Sequence, residues 1–170
     1  MSTVKNKTNL KAEAGKQEVL IIREFDAPRE LVFKAYTDPK LYVQWLGPRA
    51  MTMELEKFEP RSGGSWRYIH RDKDGRAYAF HGVFHEVRPP EKLIDTFEYE
   101  GLPGPGHVSL QDATFEELPV KRTKVTTHVV YLSVADRDGE LQSGMERGIS
   151  ESFERLDELL LVIRRGSPFC

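Results

Sequence analysis

The chain has 170 residues, 25 basic against 27 acidic side chains and a formal charge of −2, which suits one domain large enough to bury about 70% of the surface its unfolded form exposes. That balance supplies no overall field for nucleic acid or an anionic membrane, so neither is expected as a partner. No apolar run nears the roughly 18 residues a membrane span needs, and the N-terminus lacks the apolar core of a signal peptide, so the cytoplasm is the expected compartment.

Residues 1–17 carry Lys5, Lys7, Lys11 and Lys16 among Asn and Thr with little apolar patterning, and are expected to be a flexible polar tail before a single domain at 18–166. The β-branched run 19–25 reads as a strand. Pro28 suits a first helical turn and Asp26 is positioned to cap it, with Leu31, Val32 and Ala35 at helical spacing through Thr37. Asp38-Pro39 starts a second helix in the same way. From Met51 the period becomes two: Met51, Met53 and Leu55 alternate with Thr52, Glu54 and Glu56, as in a sheet wet on one face. Trp66, Tyr68 and His70 share one face of the next strand, and Asp72 to Gly75 closes a hairpin. Further strands are expected at 78–87, 92–99, 108–118 and 123–131. Their short connections predict a largely antiparallel sheet.

Ser133 with Asp136, and Ser143 with Glu146, have capping-box spacing. Beyond Gly144 the series Met145, Ile149, Phe153, Leu156, Leu160 and Ile163 keeps one face for about five helical turns. Arg147, Glu151 and Arg155 fill the other side. The result is a long amphipathic helix that needs a sheet to cover its stripe. Gly144 and Gly148 each cost about 1 kcal/mol in a helix interior, so they predict either a close approach or a loosened first turn.

Few motifs carry chemistry. His81 and His85 stand four apart, but their surroundings read as strand, where that step spans about 13 Å and one metal cannot take both. Asp72-Lys73-Asp74-Gly75 and Asp136-Arg137-Asp138-Gly139 lack the remaining ligands of a calcium loop. The run Gly101 to Gly106 lacks the Gly-Lys-Ser/Thr ending of a phosphate loop, and Gly63 to Arg67 is no nucleophile elbow. The one cysteine, Cys170, offers neither an internal disulfide nor a multi-cysteine zinc site. No catalytic residue, metal site or cofactor is expected. His70, Asp95 and His128 sit at interior parity and would support acid-base chemistry if one were buried at a cavity with a shifted pKa. The aromatic side chains, two Trp, six Tyr and nine Phe, concentrate in the strands.

Phe25-Asp26-Ala27-Pro28, Val32-Phe33, Thr37-Asp38-Pro39, Trp45, Gly63-Gly64-Ser65-Trp66 and Arg88-Pro89-Pro90-Glu91-Lys92-Leu93 together resemble the START-like superfamily. Within it the chain is similar to bacterial relatives of the C-terminal domain of the activator of the Hsp90 ATPase, over residues 18–164. The resemblance implies an α+β helix-grip fold: a curved antiparallel sheet of six or seven strands around a long C-terminal helix, with two short helices after the first strand. It also implies an apolar cavity walled by Trp66, Tyr68, Phe97, Tyr99, Met145, Ile149 and Phe153, with Trp45 near one end and His70, Asp95 and His128 as polar groups. The function implied is binding of a small hydrophobic or aromatic molecule without chemistry. Two alternatives are an Hsp90-type chaperone activator and a polyketide cyclase-like enzyme. Monomer and homodimer both stay open.

Overall fold

The computed structural model describes residues 6–166. In chain order it contains β1 (Asn9–Lys11), β2 (Glu18–Phe25), α1 (Arg29–Thr37), α2 (Pro39–Tyr42), β3 (Thr52–Phe58), β4 (Ser65–Arg71), β5 (Ala77–Arg88), β6 (Lys92–Tyr99), β7 (Val108–Leu118), β8 (Arg122–Tyr131), α3 (Val134–Gln142) and α4 (Met145–Arg164). The eight strands form one sheet in the order β1-β2-β8-β7-β6-β5-β4-β3. Every pairing is antiparallel. The long helix α4 lies in the concave face, which makes this an α+β helix-grip fold.

One strand more than expected comes from the polar tail. Asn9 to Lys11 pair with Ile22 to Leu20 on β2, and Leu10 packs on the core. The buried Arg137 holds the intervening loop, its Nη1 donating to the carbonyls of Glu13 at 2.6 Å and Glu18 at 3.3 Å. Residues 6–17 are therefore tied to the sheet. Lys5 and Cys170 lie outside the described residues.

Helix ends follow local chemistry with two departures from expectation. Asp38 caps α2 by accepting from Lys40 N at 2.9 Å, and Ser133 caps α3 by accepting from Asp136 N at 3.0 Å. Asp26 does not cap α1. Its carboxyl accepts from Arg122 Nε at 2.8 Å, which holds its pKa below the usual range, and Pro28 takes the N-cap position. Ser143 closes α3 by donating to the Glu140 carbonyl at 2.6 Å, while α4 begins at Gly144 in the left-handed region, φ +93°. Gly144 is thus the link between two helices, a conformation that favours glycine. A Cβ at Gly148 would meet open space, so close approach is not its role.

Two irregularities bend the sheet. The register shifts between Leu55 and Lys57 on β3, and again between Phe84 and Glu86 on β5. An extra residue at a bulge reverses the alternation beyond it and kinks the strand. Met53, Leu55 and then Phe58 consequently face the core, as do Phe84 and then Val87. Against this face α4 buries Phe153, Leu156, Leu160 and Ile163, with Phe153 edge-on to Phe25 at 5.4 Å between centroids. Beneath it the buried Arg23 pairs with Asp157 at 2.5 Å and lies 5.0 Å from the Phe25 ring.

Candidate functional site: a cavity inside the grip

Between the sheet and α4 lies a cavity of about 150 Å³. Tyr36, Tyr42 and Trp45 from the helical opening form one wall. Trp45 is fixed there because its Nε1 donates to the Ala35 carbonyl at 2.9 Å, so the ring is at once an anchor of α1 and a cavity surface. Phe58, Trp66 and Phe84 line it from β3, β4 and β5, with Phe58 stacked on Tyr42 at 5.0 Å between centroids, and Ile149, Ser152 and Phe153 line it from α4. Ser152 is held by donating to the Gly148 carbonyl at 2.9 Å and accepting from Gly47 N at 2.8 Å.

Trp66 lies flat against the sheet because its neighbour on β5 is Gly82. A Cβ there would stand 2.7 Å from the indole and 1.9 Å from the Thr96 carbonyl oxygen. Only glycine allows that approach.

The floor is partly polar. Asp95 faces Gln111 directly across β6 and β7, and Thr127 stands opposite Ala113 on β8. All four line the cavity. Burial pushes the Asp95 carboxyl up to about 8, only partly offset by the indole N–H of Trp66 beside it. Even so, Trp66 Nε1 makes no well-formed hydrogen bond among the described residues. The Tyr42 phenol is pushed well above its ordinary value by burial, with Tyr68, Asp95 and Tyr36 adding to the effect. Asp95, Gln111, Thr127 and Ser152 thus add polar groups to a lining otherwise made mainly of aromatic and aliphatic side chains.

Of the residues expected from the sequence, Trp66, Ile149, Phe153 and Asp95 line this cavity. Tyr68, Phe97 and Tyr99 stand beside it as a continuous aromatic layer. Tyr68 stacks on Trp66 at 5.2 Å, and Phe80 joins Tyr68, Phe97 and Tyr99 at 5.1 to 5.3 Å. Met145 is half-buried, its Sδ accepting from the Tyr131 hydroxyl at 3.6 Å.

The two histidines depart from expectation. His70 is buried but does not line the cavity, because it packs against the turn at Gly47, where a Cβ would stand 2.7 Å from its Nε2. Desolvation and the nearby Arg155 push it down to about 4. His128 is on the outer face with its Nε2 2.6 Å from Glu18, because the register turns Thr127 and Val129 inward instead. Asp95 alone meets the condition set for acid-base chemistry.

Sequence reasoning missed Tyr36, Tyr42, Phe58, Gln111, Thr127 and Ser152. Counting back by twos from Phe115 reaches Ala113 and Gln111, and from Val129 reaches Thr127. Tyr42 lies one helical turn before Trp45. Phe58 carries no such signal, since a bulge brings it inward. His81 contacts Glu98 and Glu100, and His85 is exposed on the same strand. Among the described residues no group of three or more His, Cys, Asp or Glu is placed to hold a metal, and no helix is long and apolar enough to cross a membrane.

This α+β helix-grip fold is consistent with a START-like protein. Residues 26–161 match the family described as Activator of Hsp90 ATPase homolog 1-like protein, and the chain belongs to that family. Solved structures agree on the fold. A protein from Rhodobacter sphaeroides is 25% identical, with a TM-score of 0.82 over 91% of this chain and 98% of that one. A protein from Mycobacterium smegmatis is 25% identical, with a TM-score of 0.80 over 90% and 96%. An AHSA1 protein from Silicibacter pomeroyi, 20% identical, superimposes with a TM-score of 0.71 over 85% and 98%. No curated protein matches the sequence significantly.

Proposed function

We propose that the protein binds a small, hydrophobic, single-ring molecule in the cavity between the sheet and α4, and performs no chemistry on it. One observation carries this reading: a space of about 150 Å³ walled by Tyr36, Tyr42, Trp45, Phe58, Trp66 and Phe153. An apolar space of about that volume accepts a benzene-sized guest. Affinity would come from desolvating the ring, and orientation from the few polar groups. Of His70, Asp95 and His128, Asp95 alone lines the cavity, so no second member of that set stands beside a bound molecule.

Both tryptophans of the chain line the cavity, which makes intrinsic fluorescence a direct reporter. Titration with one-ring compounds should change it saturably, and mass spectrometry of an organic extract of purified protein should identify the bound species. A fluorescence signal indifferent to every one-ring compound would end this reading. The family match supports a second reading, contact with an Hsp90-type chaperone. It predicts raised ATP turnover when the two are mixed, and unchanged turnover at saturating protein would remove it.

A further inference from the structure

The polar groups in the cavity lining point to one chemical class of ligand, an inference that rests on the binding reading above. Trp66 is 4% exposed and lines the cavity, yet its Nε1, although near enough to the Asp95 carboxyl to lower its pKa in part, makes no well-formed hydrogen bond among the described residues. A buried N–H without an acceptor is unfavourable, and a ligand oxygen that accepts from it removes that penalty. Asp95 lines the same cavity from β6, paired with Phe84 on the strand beside that of Trp66. A carboxyl always presents an oxygen able to accept from an O–H, whichever protonation state it holds.

A hydroxyl meets this pair in either protonation state of the carboxyl, because it accepts from the indole and can still donate to a carboxyl oxygen. An ammonium would set donor against donor at Trp66. A ketone or a carboxylate accepts from the indole but meets Asp95 favourably only when that carboxyl is protonated, since neither can donate to its ionised form. We propose that the cavity takes a neutral single-ring molecule bearing a hydroxyl, which accepts from Trp66 Nε1 and donates to the Asp95 carboxyl while its ring lies among Trp45, Phe58, Phe84 and Phe153. Burial holds the Asp95 carboxyl largely protonated at neutral pH, so the site offers no fixed charge to an ionic ligand.

Phenol and toluene have nearly the same shape and differ in this one group. Each is titrated by calorimetry at pH 6.5 into the wild type, Asp95→Asn, Asp95→Leu and Trp66→Phe. Losing one hydrogen bond should lower the ratio of phenol to toluene affinity about tenfold in Asp95→Leu and in Trp66→Phe. Asp95→Asn, whose amide oxygen still accepts, should keep the wild-type ratio. Saturable binding of both probes with one ratio in all four proteins would overturn the hydroxyl assignment while leaving the cavity reading intact. Failure of both probes to bind the wild type would remove the cavity reading and this inference with it. If Asp95→Leu does not fold, the contrast between Trp66→Phe and Asp95→Asn decides the question.

Discussion

Replacing Asp95 with asparagine should stabilise the protein, increasingly so as the pH rises. In the folded chain the carboxyl is pushed from 3.8 to about 8 by burial, whereas in the unfolded chain it ionises normally. Below about pH 4 both states hold the proton and the carboxyl adds no pH dependence. Between about pH 4 and 8 the unfolded chain releases it and the folded chain keeps it. Stability then falls with rising pH by about 1.4 kcal/mol per pH unit, and levels off above pH 8. The accumulated loss has a ceiling of about 4 kcal/mol at pH 7 and about 6 kcal/mol above pH 8. Water entering the cavity to solvate the carboxylate lowers both figures. Asparagine has the same shape and no such slope. His70 acts in the opposite sense, since its pKa is depressed to about 4 and stability is lost as pH falls from its ordinary value towards 4, but it is common to both proteins and cancels in the difference. At about 2–4 °C per kcal/mol for a chain of this size, the variant should melt roughly 10 °C higher at pH 7. Thermal unfolding followed by circular dichroism from pH 4.5 to 8.5 measures this. A melting difference that does not change with pH, or a variant less stable than wild type at pH 8, would refute the buried, protonated Asp95.

Ala113→Leu should fill the cavity floor and abolish binding of a one-ring probe by fluorescence titration, with the circular dichroism spectrum unchanged. Gly82→Ala should destabilise by about 3 kcal/mol in urea unfolding, since its methyl group would collide with Trp66 and the Thr96 carbonyl; a change below about 0.5 kcal/mol would contradict that packing. Asp157→Ala leaves Arg23, 1% exposed, without its charge partner, and should cost about 3 kcal/mol. Val120 is 88% exposed with φ +63° in the turn between β7 and β8, so Val120→Asn should add about 1 kcal/mol by relieving left-handed strain, and a loss of stability would count against that turn.

The fold was legible because its signals are local and redundant. Asp38-Pro39 starts α2 as its chemistry dictates, the alternation of Trp66, Tyr68 and His70 places those side chains inward, and the apolar series from Phe153 to Ile163 sets the buried face of α4. The cavity was legible only in part, because it forms where those periodicities break. The bulge after Leu55 brings Phe58 inward to 5.6 Å from Phe84, and that shift cannot be read from alternating apolar residues. Thr127 and His128 show the cost of parity error directly, since one step along β8 exchanges a cavity wall for the outer surface. Gly82 matters only through Trp66 on the neighbouring strand, a pairing that no local pattern announces. Gln111, a polar residue at interior parity, was the unexploited clue.

The central claim is that one ring enters the space between Trp45, Trp66 and Phe153. Titrating benzene into isotopically labelled protein and following amide and methyl chemical shifts tests it most directly. The account predicts saturable shifts at Ile21, Leu93, Ala113, Thr127 and Ile149, all of which line the cavity, and none at the exposed Leu110, Val130 and Leu132. Shifts confined to those exposed residues, or no saturable shift at all, would contradict it.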